Sequence, residues 1–277
     1  MTRPAAVGAW TLAGLAITLS TSDPITHLVV LSGAWWLLAR GKTSGRRLVP
    51  LAVGLGFMFA TTVVINGLLS HTGTTVLVTL PGWVPLAGGA VTAEAFAEGA
   101  SIGLALVAAV SVAAALSVVL EAADLVDALP RPLSRTGAAI GSALNLVPAT
   151  AASFVAVRDA QRLRGWRAKG PRALADLAVP VVLGAIDRSV QLAESMEARG
   201  FGSGPRSSVR GARSRRAVLV FACSSAALCL LAAARLHGDS GAWYPYPLPS
   251  VPVASPLVLA PALVLAVAGV LVPDTTE

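Results

Sequence analysis

Residues 137–157 read GAAIGSALNLVPATAASFVAV, a run of 21 residues from Gly137 to Val157 without a charge. By length the run could cross a membrane, since roughly 20 apolar residues span about 30 Å of hydrocarbon. The residues immediately after it argue against crossing. These include Arg158, Arg162, Arg164, Arg167, Lys169 and Arg172, and crossing would carry all six to a side that the other loops keep almost free of basic residues. Ser142, Asn145, Thr150 and Ser153 add polarity unsuited to a lipid-facing span, and Pro148 is expected to kink a helix here. Ile140, Leu144, Val147, Ala151 and Phe154 recur at helical spacing, so the run is read as an interfacial helix on the inner membrane face.

The rest of the chain makes the membrane reading necessary. Of 277 residues, 55% are hydrophobic and only 13% charged, with a mean hydropathy of +0.73. Soluble domains carry about a quarter charged residues, so disorder and soluble globular classes are excluded. Cys223 and Cys229 lie in one apolar run and match neither a disulfide framework nor a zinc spacing. Six stretches are predicted to span, at about 5–20, 24–40, 48–69, 94–120, 217–236 and 255–272. Arg3 before an apolar run also suits a secretory leader, but no Ala-x-Ala site follows, so 5–20 is read as a span. Ser22-Asp23-Pro24 makes a tight turn between the first two, with Ser22 or Asp23 available to cap the second.

Charge orients these spans. Arg3, the group Arg40, Lys42, Arg46 and Arg47, and fifteen more in 121–216 place 20 of 21 basic residues on one face, leaving Arg235 at the outer end of span five. Both termini are therefore expected in the cytoplasm. Trp243-Tyr244-Pro245-Tyr246-Pro247 is expected in an outer headgroup belt, and the uncharged 74–92 as an outer loop lying on the membrane. The fold class that results is an all-α membrane protein of about six transmembrane helices, with two long amphipathic cytoplasmic helices between spans four and five. Its parts are an N-terminal membrane domain (1–120), a cytoplasmic segment (121–216) and the C-terminal membrane spans (217–277).

The second cytoplasmic helix is expected from about Ala173 to Arg199, with an apolar part, Leu177 to Ile186, too short to span. The two helix ends repeat a pattern. Ala160-Gln161-Arg162-Leu163-Arg164-Gly165 and Ser195-Met196-Glu197-Ala198-Arg199-Gly200 place an arginine before a glycine suited to φ > 0, 35 residues apart. Two readings stand: helix caps in a basic loop, with arginine favoured by the dipole, or paired guanidinium groups docking into acidic grooves on another protein.

Other motifs carry less. Gly41-Lys42-Thr43 lacks the glycine of a phosphate loop, since Trp36 stands five residues before Gly41. His27, His71 and His237 have no metal spacing and are read as loop or interface residues. Glu94 and Glu98, four apart, are read as a solvated helix N-terminus rather than an acid/base pair. Gly99-x-x-x-Gly103 permits close packing against a helix of this chain or a partner. The arginines from Arg206 to Arg216 are read as a translocation stop and a contact for anionic lipid, with no nucleic acid.

Several of these residues together resemble a family. Asp23-Pro24, Val91-Thr92-Ala93-Glu94, Asp124-Leu125-Val126-Asp127-Ala128-Leu129, Asp159-Ala160-Gln161-Arg162 with Arg164-Gly165, and Met196-Glu197-Ala198-Arg199-Gly200-Phe201-Gly202 occur in the order of the T component of energy-coupling factor (ECF) transporters. The resemblance to this EcfT or CbiQ-like family runs from about residue 20 to 272. It implies a non-catalytic subunit of a prokaryotic inner-membrane importer for a vitamin or metal ion. Its partners would be two ABC ATPase subunits, which bind the ATP, and a substrate-binding membrane S component. The coupling motifs it implies are Ala160, Arg162, Arg164 and Gly165, and Glu197, Ala198, Arg199 and Gly200. Leu163 departs from the alanine of the family pattern. Two rival classes remain: a self-sufficient permease of an ordinary ABC importer, and a membrane-embedded enzyme.

Residues 121–216 hold fifteen basic residues against eight acidic ones, an excess equal to the +7 of the whole chain. Cysteines placed at Arg167 and Arg210, with Cys223 and Cys229 removed, should both be protected from an impermeant thiol reagent added outside. Labelling at Arg167 from outside would restore the seventh span.

Overall fold

In the computed structural model, residues 3–40, 45–81, 88–120, 134–166, 172–200, 214–239, 241–247 and 251–272 are described. The helices among them are α1 (Arg3–Ser20), α2 (Pro24–Arg40), α3 (Gly45–Leu69), α4 (Ala93–Val119), α5 (Ser134–Leu163), α6 (Arg172–Ala198), α7 (Arg215–Leu236) and α8 (Pro256–Val270). Four contain stretches long and apolar enough to cross a membrane: Leu48–Leu69, Ala93–Val119, Ala139–Leu163 and Arg215–Leu236. The expected first, second and sixth spans form shorter helices, and Ala139–Leu163 meets the length and hydropathy condition that three of the expected spans meet. The chain packs as two compact units, Met1–Glu121 with Ala212–Glu277, and Ala122–Gly211.

In the first unit α1 packs against α4, α7 and α8, while α2 packs against α4 and α8. Trp10 is almost fully buried and its indole N–H donates to the Leu265 carbonyl, 2.9 Å away, tying the first helix to the last. Ile17, Leu38, Val112, Val220 and Leu265 complete this core. The α1–α2 turn forms as expected, and Asp23 is the residue that caps. Its Oδ2 accepts from the Thr26 N–H at 3.1 Å and the Thr26 hydroxyl at 2.7 Å. His27, one turn on, is 1% exposed and its Nε2 lies 3.2 and 3.1 Å from the Thr18 and Thr21 carbonyls. This corrects its reading as a loop or interface residue: its ring N–H bridges two carbonyls left open at the end of α1.

The stretch 74–92 is not simply a loop, and the fold is not strictly all-α. Strands β1 (Val76–Leu80) and β2 (Gly89–Thr92) pair antiparallel, with Val78 opposite Val91 and Leu80 opposite Gly89. The β-branched Val76, Val78 and Thr79 favour the extended chain, and pairing satisfies backbone groups that an isolated strand would leave open. Pro85, Gly82 and Trp83 lie outside the described residues.

The α3–α4 pair identifies the partner of Gly99-x-x-x-Gly103, which lies inside the chain. A Cβ on Gly99 would stand 2.8 Å from the Asn66 Cβ and 3.1 Å from the Val63 Cα, and one on Gly103 would stand 3.0 Å from the Phe59 ring. The two backbones approach because neither position carries a side chain. Gly99→Ala should therefore lower stability by about 1–3 kcal/mol through overpacking. Gly54→Ala, on the open side of α3 with nothing within 4 Å, should be neutral or stabilising. Thermal unfolding of the two variants in detergent checks this; equal midpoints would mean that α3 and α4 do not depend on the glycine contact.

Candidate functional site

The second unit places both repeated motifs at helix ends. Gly165 has φ = 86° and Gly200 φ = 71°, the left-handed conformation that glycine adopts without a Cβ penalty. At the end of α5 the Gly165 N–H donates to the Arg162 carbonyl at 3.0 Å and the Trp166 N–H to the Gln161 carbonyl at 3.0 Å. That pair of bonds is a Schellman cap. At the end of α6 the Gly200 N–H donates to the Glu197 carbonyl at 2.8 Å. Arg164 and Arg199 thus occupy the same position, the last residue before the glycine.

Capping alone does not make such an end special. The end of α7 closes in the same way, with Gly238 at φ = 80°, its N–H on the Arg235 carbonyl and the Asp239 N–H on the Ala234 carbonyl. What distinguishes the ends of α5 and α6 is an arginine directly before the glycine, where α7 has His237. Ala160, Arg162, Arg164 and Gly165, and Glu197, Ala198, Arg199 and Gly200, are all exposed, and Leu163 is 91% exposed. Arg158 pairs with its neighbour Asp159 at 3.2 Å, whereas among the described residues no ion pair engages Arg162, Arg164 or Arg199.

Two hydrogen-bonded side chains set how α5 and α6 run. The Arg188 Nη1 donates to the Ala149 carbonyl at 3.2 Å while its Nε donates to the Gly184 carbonyl at 2.9 Å. The Trp166 indole donates to Asp176 at 3.3 Å. Ascending positions 149 and 166 on one side thus meet descending positions 188 and 176 on the other, so the helices are antiparallel. At about 1.5 Å rise per residue, this puts Arg164 and Arg199 at opposite ends of the pair, roughly 40 Å apart. Sequence spacing did not single out Arg188, Trp166 or Asp176. An arginine just after the apolar run of α6 was the available signal. The apolar side chains of α6 gather on one side more than those of α5, where they are spread around the helix, so the expected amphipathic character is better met by α6.

Glu94 and Glu98 take other places than expected. Glu94 is completely buried, not solvated. Its Oε1 accepts from the Thr75 N–H at 2.9 Å, the Thr74 N–H at 3.2 Å and the Thr74 hydroxyl at 3.3 Å. Three donors and the N-terminus of α4 offset the loss of hydration. Glu98 is half-buried. Asp239, in the α7–α8 connection, accepts from the Ser255 hydroxyl and from the Gly241 N–H at 3.1 Å. These two bonds, the Ser255 one foremost, hold its carboxyl below the ordinary range, with a smaller contribution from Arg235. Asp124–Leu129, Phe201-Gly202 and Arg206, Arg210 and Arg213 lie outside the described residues.

Several long apolar helices, together with a unit of two antiparallel helices whose arginine ends are exposed, describe a multi-pass membrane protein. The family model described as CbiQ, cobalt transport protein, matches residues 4–209, well over half of the chain. The chain belongs to that family, and the matched region includes both arginine ends. No curated protein matches it.

The geometry makes Arg188 the brace between α5 and α6. Arg188→Ala should loosen the pair, seen as faster amide exchange around Ala149 and Gly184, with Arg188→Lys recovering part of the protection because it keeps one donor but loses the fork. Unchanged exchange in Arg188→Ala would mean that the Arg188 bonds do not hold the two helices together.

Proposed function

We propose that this protein is the transmembrane scaffold and energy-coupling T component of an ECF-type importer, linking ATP hydrolysis by two ATPases to uptake of a vitamin or metal ion. The substrate would be selected by a separate membrane S component. The observation that carries the reading is the pair of exposed arginines, each on a glycine-capped helix end, at opposite ends of one antiparallel pair. Membership of a cobalt transport family supports it.

In this reading six helices span, α5 and α6 lie at the inner membrane surface, and both termini are cytoplasmic. ATP is bound by the partners, so the chain itself needs no cofactor. Each guanidinium presents several N–H donors in a fixed plane to an acidic groove on one ATPase, a geometry that lysine does not reproduce. A helix pair of fixed length then converts the approach or separation of two ATPases into movement of a rigid body. Arg199 sits in the motif that matches the family fully, and Arg164 comes directly after Leu163, so the contact at Arg199 is assigned the larger share of the affinity.

Removing an arginine from a desolvated pair leaves its carboxylate partner uncompensated, at a cost of roughly 2–5 kcal/mol. Arg199→Ala should weaken ATPase retention more than Arg164→Ala, Arg199→Lys should recover part of it, and the double alanine variant should lose substrate uptake. Pull-down of the ATPases and uptake by vesicles measure this after membrane insertion is verified. A double variant that inserts, keeps its ATPases and transports at the wild-type rate would reduce both arginines to helix caps. Co-purification of ATPases without a second membrane protein would favour the self-sufficient permease.

A further inference from the structure

Among the described residues α2 and α3 both pack on α4 but scarcely on each other. Between them runs an apolar groove of about 300 Å³, walled by Leu31 and Trp35 of α2, Leu55, Gly56 and Phe59 of α3, and Leu104 of α4. Gly56 keeps the groove deep, since a Cβ there would meet nothing within 4 Å.

Size separates the occupants that such a groove can take. A helix with its side chains is about 10–12 Å across and rises about 5.4 Å per turn, so one turn alone fills on the order of 400–600 Å³. The groove holds less than that, and a partner helix would rest across its mouth and leave its depth open. A single acyl chain is narrow and flexible enough to lie along the floor, where it makes dispersion contacts with three walls at once.

Charge selects among lipids. The groove points toward the end of α2 and the start of α3: Trp35 precedes Arg40 by five residues and Ala52 follows Arg47 by five, each about 7–8 Å along a helix. Arg40 is exposed, and its Nη1 donates to the Val270 carbonyl at 2.9 Å, which ties the end of α2 to the end of α8. Arg46 and Arg47 stand in the first turn of α3, where the helix dipole disfavours a cation and favours an anion. No acidic residue occurs anywhere between Asp23 and Glu94, so this stretch of chain carries no complement to its own positive charge. Basic residues at the end of a membrane helix attract anionic headgroups.

Beyond the coupling role of α5 and α6, and independent of it, we infer that the groove between α2, α3 and α4 is a binding site for an anionic phospholipid. One acyl chain lies along Trp35 and Gly56, and the phosphate sits at the basic end formed by Arg40 and the first turn of α3. The lipid fills the gap between two helices that α4 alone joins.

The test places the full chain in phosphatidylcholine vesicles whose minor component is either phosphatidylglycerol or phosphatidylcholine brominated on its acyl chains. Bromine quenches a tryptophan that it touches, and subtracting the signal of Trp35→Phe isolates Trp35 from the other tryptophans. Brominated phosphatidylglycerol should quench Trp35 at the lower mole fraction, and Arg46→Gln with Arg47→Gln should reduce that preference by roughly fivefold per arginine removed. Gly56→Phe puts a ring into the groove and should abolish saturable quenching by both lipids with every arginine in place. Equal quenching of the wild type by the two lipids overturns the inference without recourse to any variant. A preference that survives Gly56→Phe overturns it too, by assigning the effect to diffuse surface charge. Absence of quenching, with photo-cross-linking from position 56 to a second membrane protein in native membranes, would give the groove to a partner helix. None of these results touches ATPase retention at Arg164 and Arg199, so this inference and the T-component reading fail separately.

Discussion

Helices in lipid have no hydrophobic drive toward one another, so their association depends on how closely the backbones can approach. The first unit meets that demand with small residues. Gly99 and Gly103 bring α4 against Val63, Asn66 and Phe59 of α3, and Gly14 lies against Val112 of α4 and Leu265 of α8. Gly33 and Gly269 make room for the Trp10 indole, whose hydrogen bond to Leu265 then becomes possible. Larger residues there would move the helices apart and cost the dispersion contacts that hold them.

Close helix packing leaves the connections to be closed, and buried or half-buried polar groups do this at several turns. Asp23 caps α2, His27 bridges two carbonyls at the end of α1, Glu94 collects two N–H groups and a hydroxyl beneath the β1–β2 hairpin, and Asp239 joins Gly241 to the start of α8. Each stabilises a reversal of the chain by pairing backbone groups that a helix end or a turn leaves open. These side chains hold the scaffold together. The groups available to an outside partner lie elsewhere.

In the second unit the balance is reversed. Its helices bury little, their arginine ends project, and the register comes from Arg188 and the Trp166–Asp176 bond. A long, thin, braced helix pair keeps its ends apart without a deep core, as the proposed coupling role would require. The side chains beside Arg164 and Arg199 differ between its two ends.

Much of this was readable locally. Helix termini were set by residues next to them: Pro24 and Asp23 at the start of α2, and Gly165 and Gly200 at φ = 86° and 71°, each directly after an arginine. The exposure of the two arginine ends was legible in the same way, since a charged helix end after an apolar run has little to bury it. The burial of Glu94 was not. A carboxylate at a helix N-terminus looks solvated until Thr74 and Thr75, just before β1 and about twenty residues earlier in the chain, fold over it. Nor could Gly99 and Gly103 name their partner, because a small residue permits approach without specifying what approaches. The antiparallel register of α5 and α6 rests on Arg188 reaching a carbonyl 39 residues away. Local spacing set where the helices stop and which residues end them; only the long-range contacts decided that Arg164 and Arg199 stand at opposite ends, because hydrogen bonds between distant segments depend on geometry that no single stretch of sequence contains.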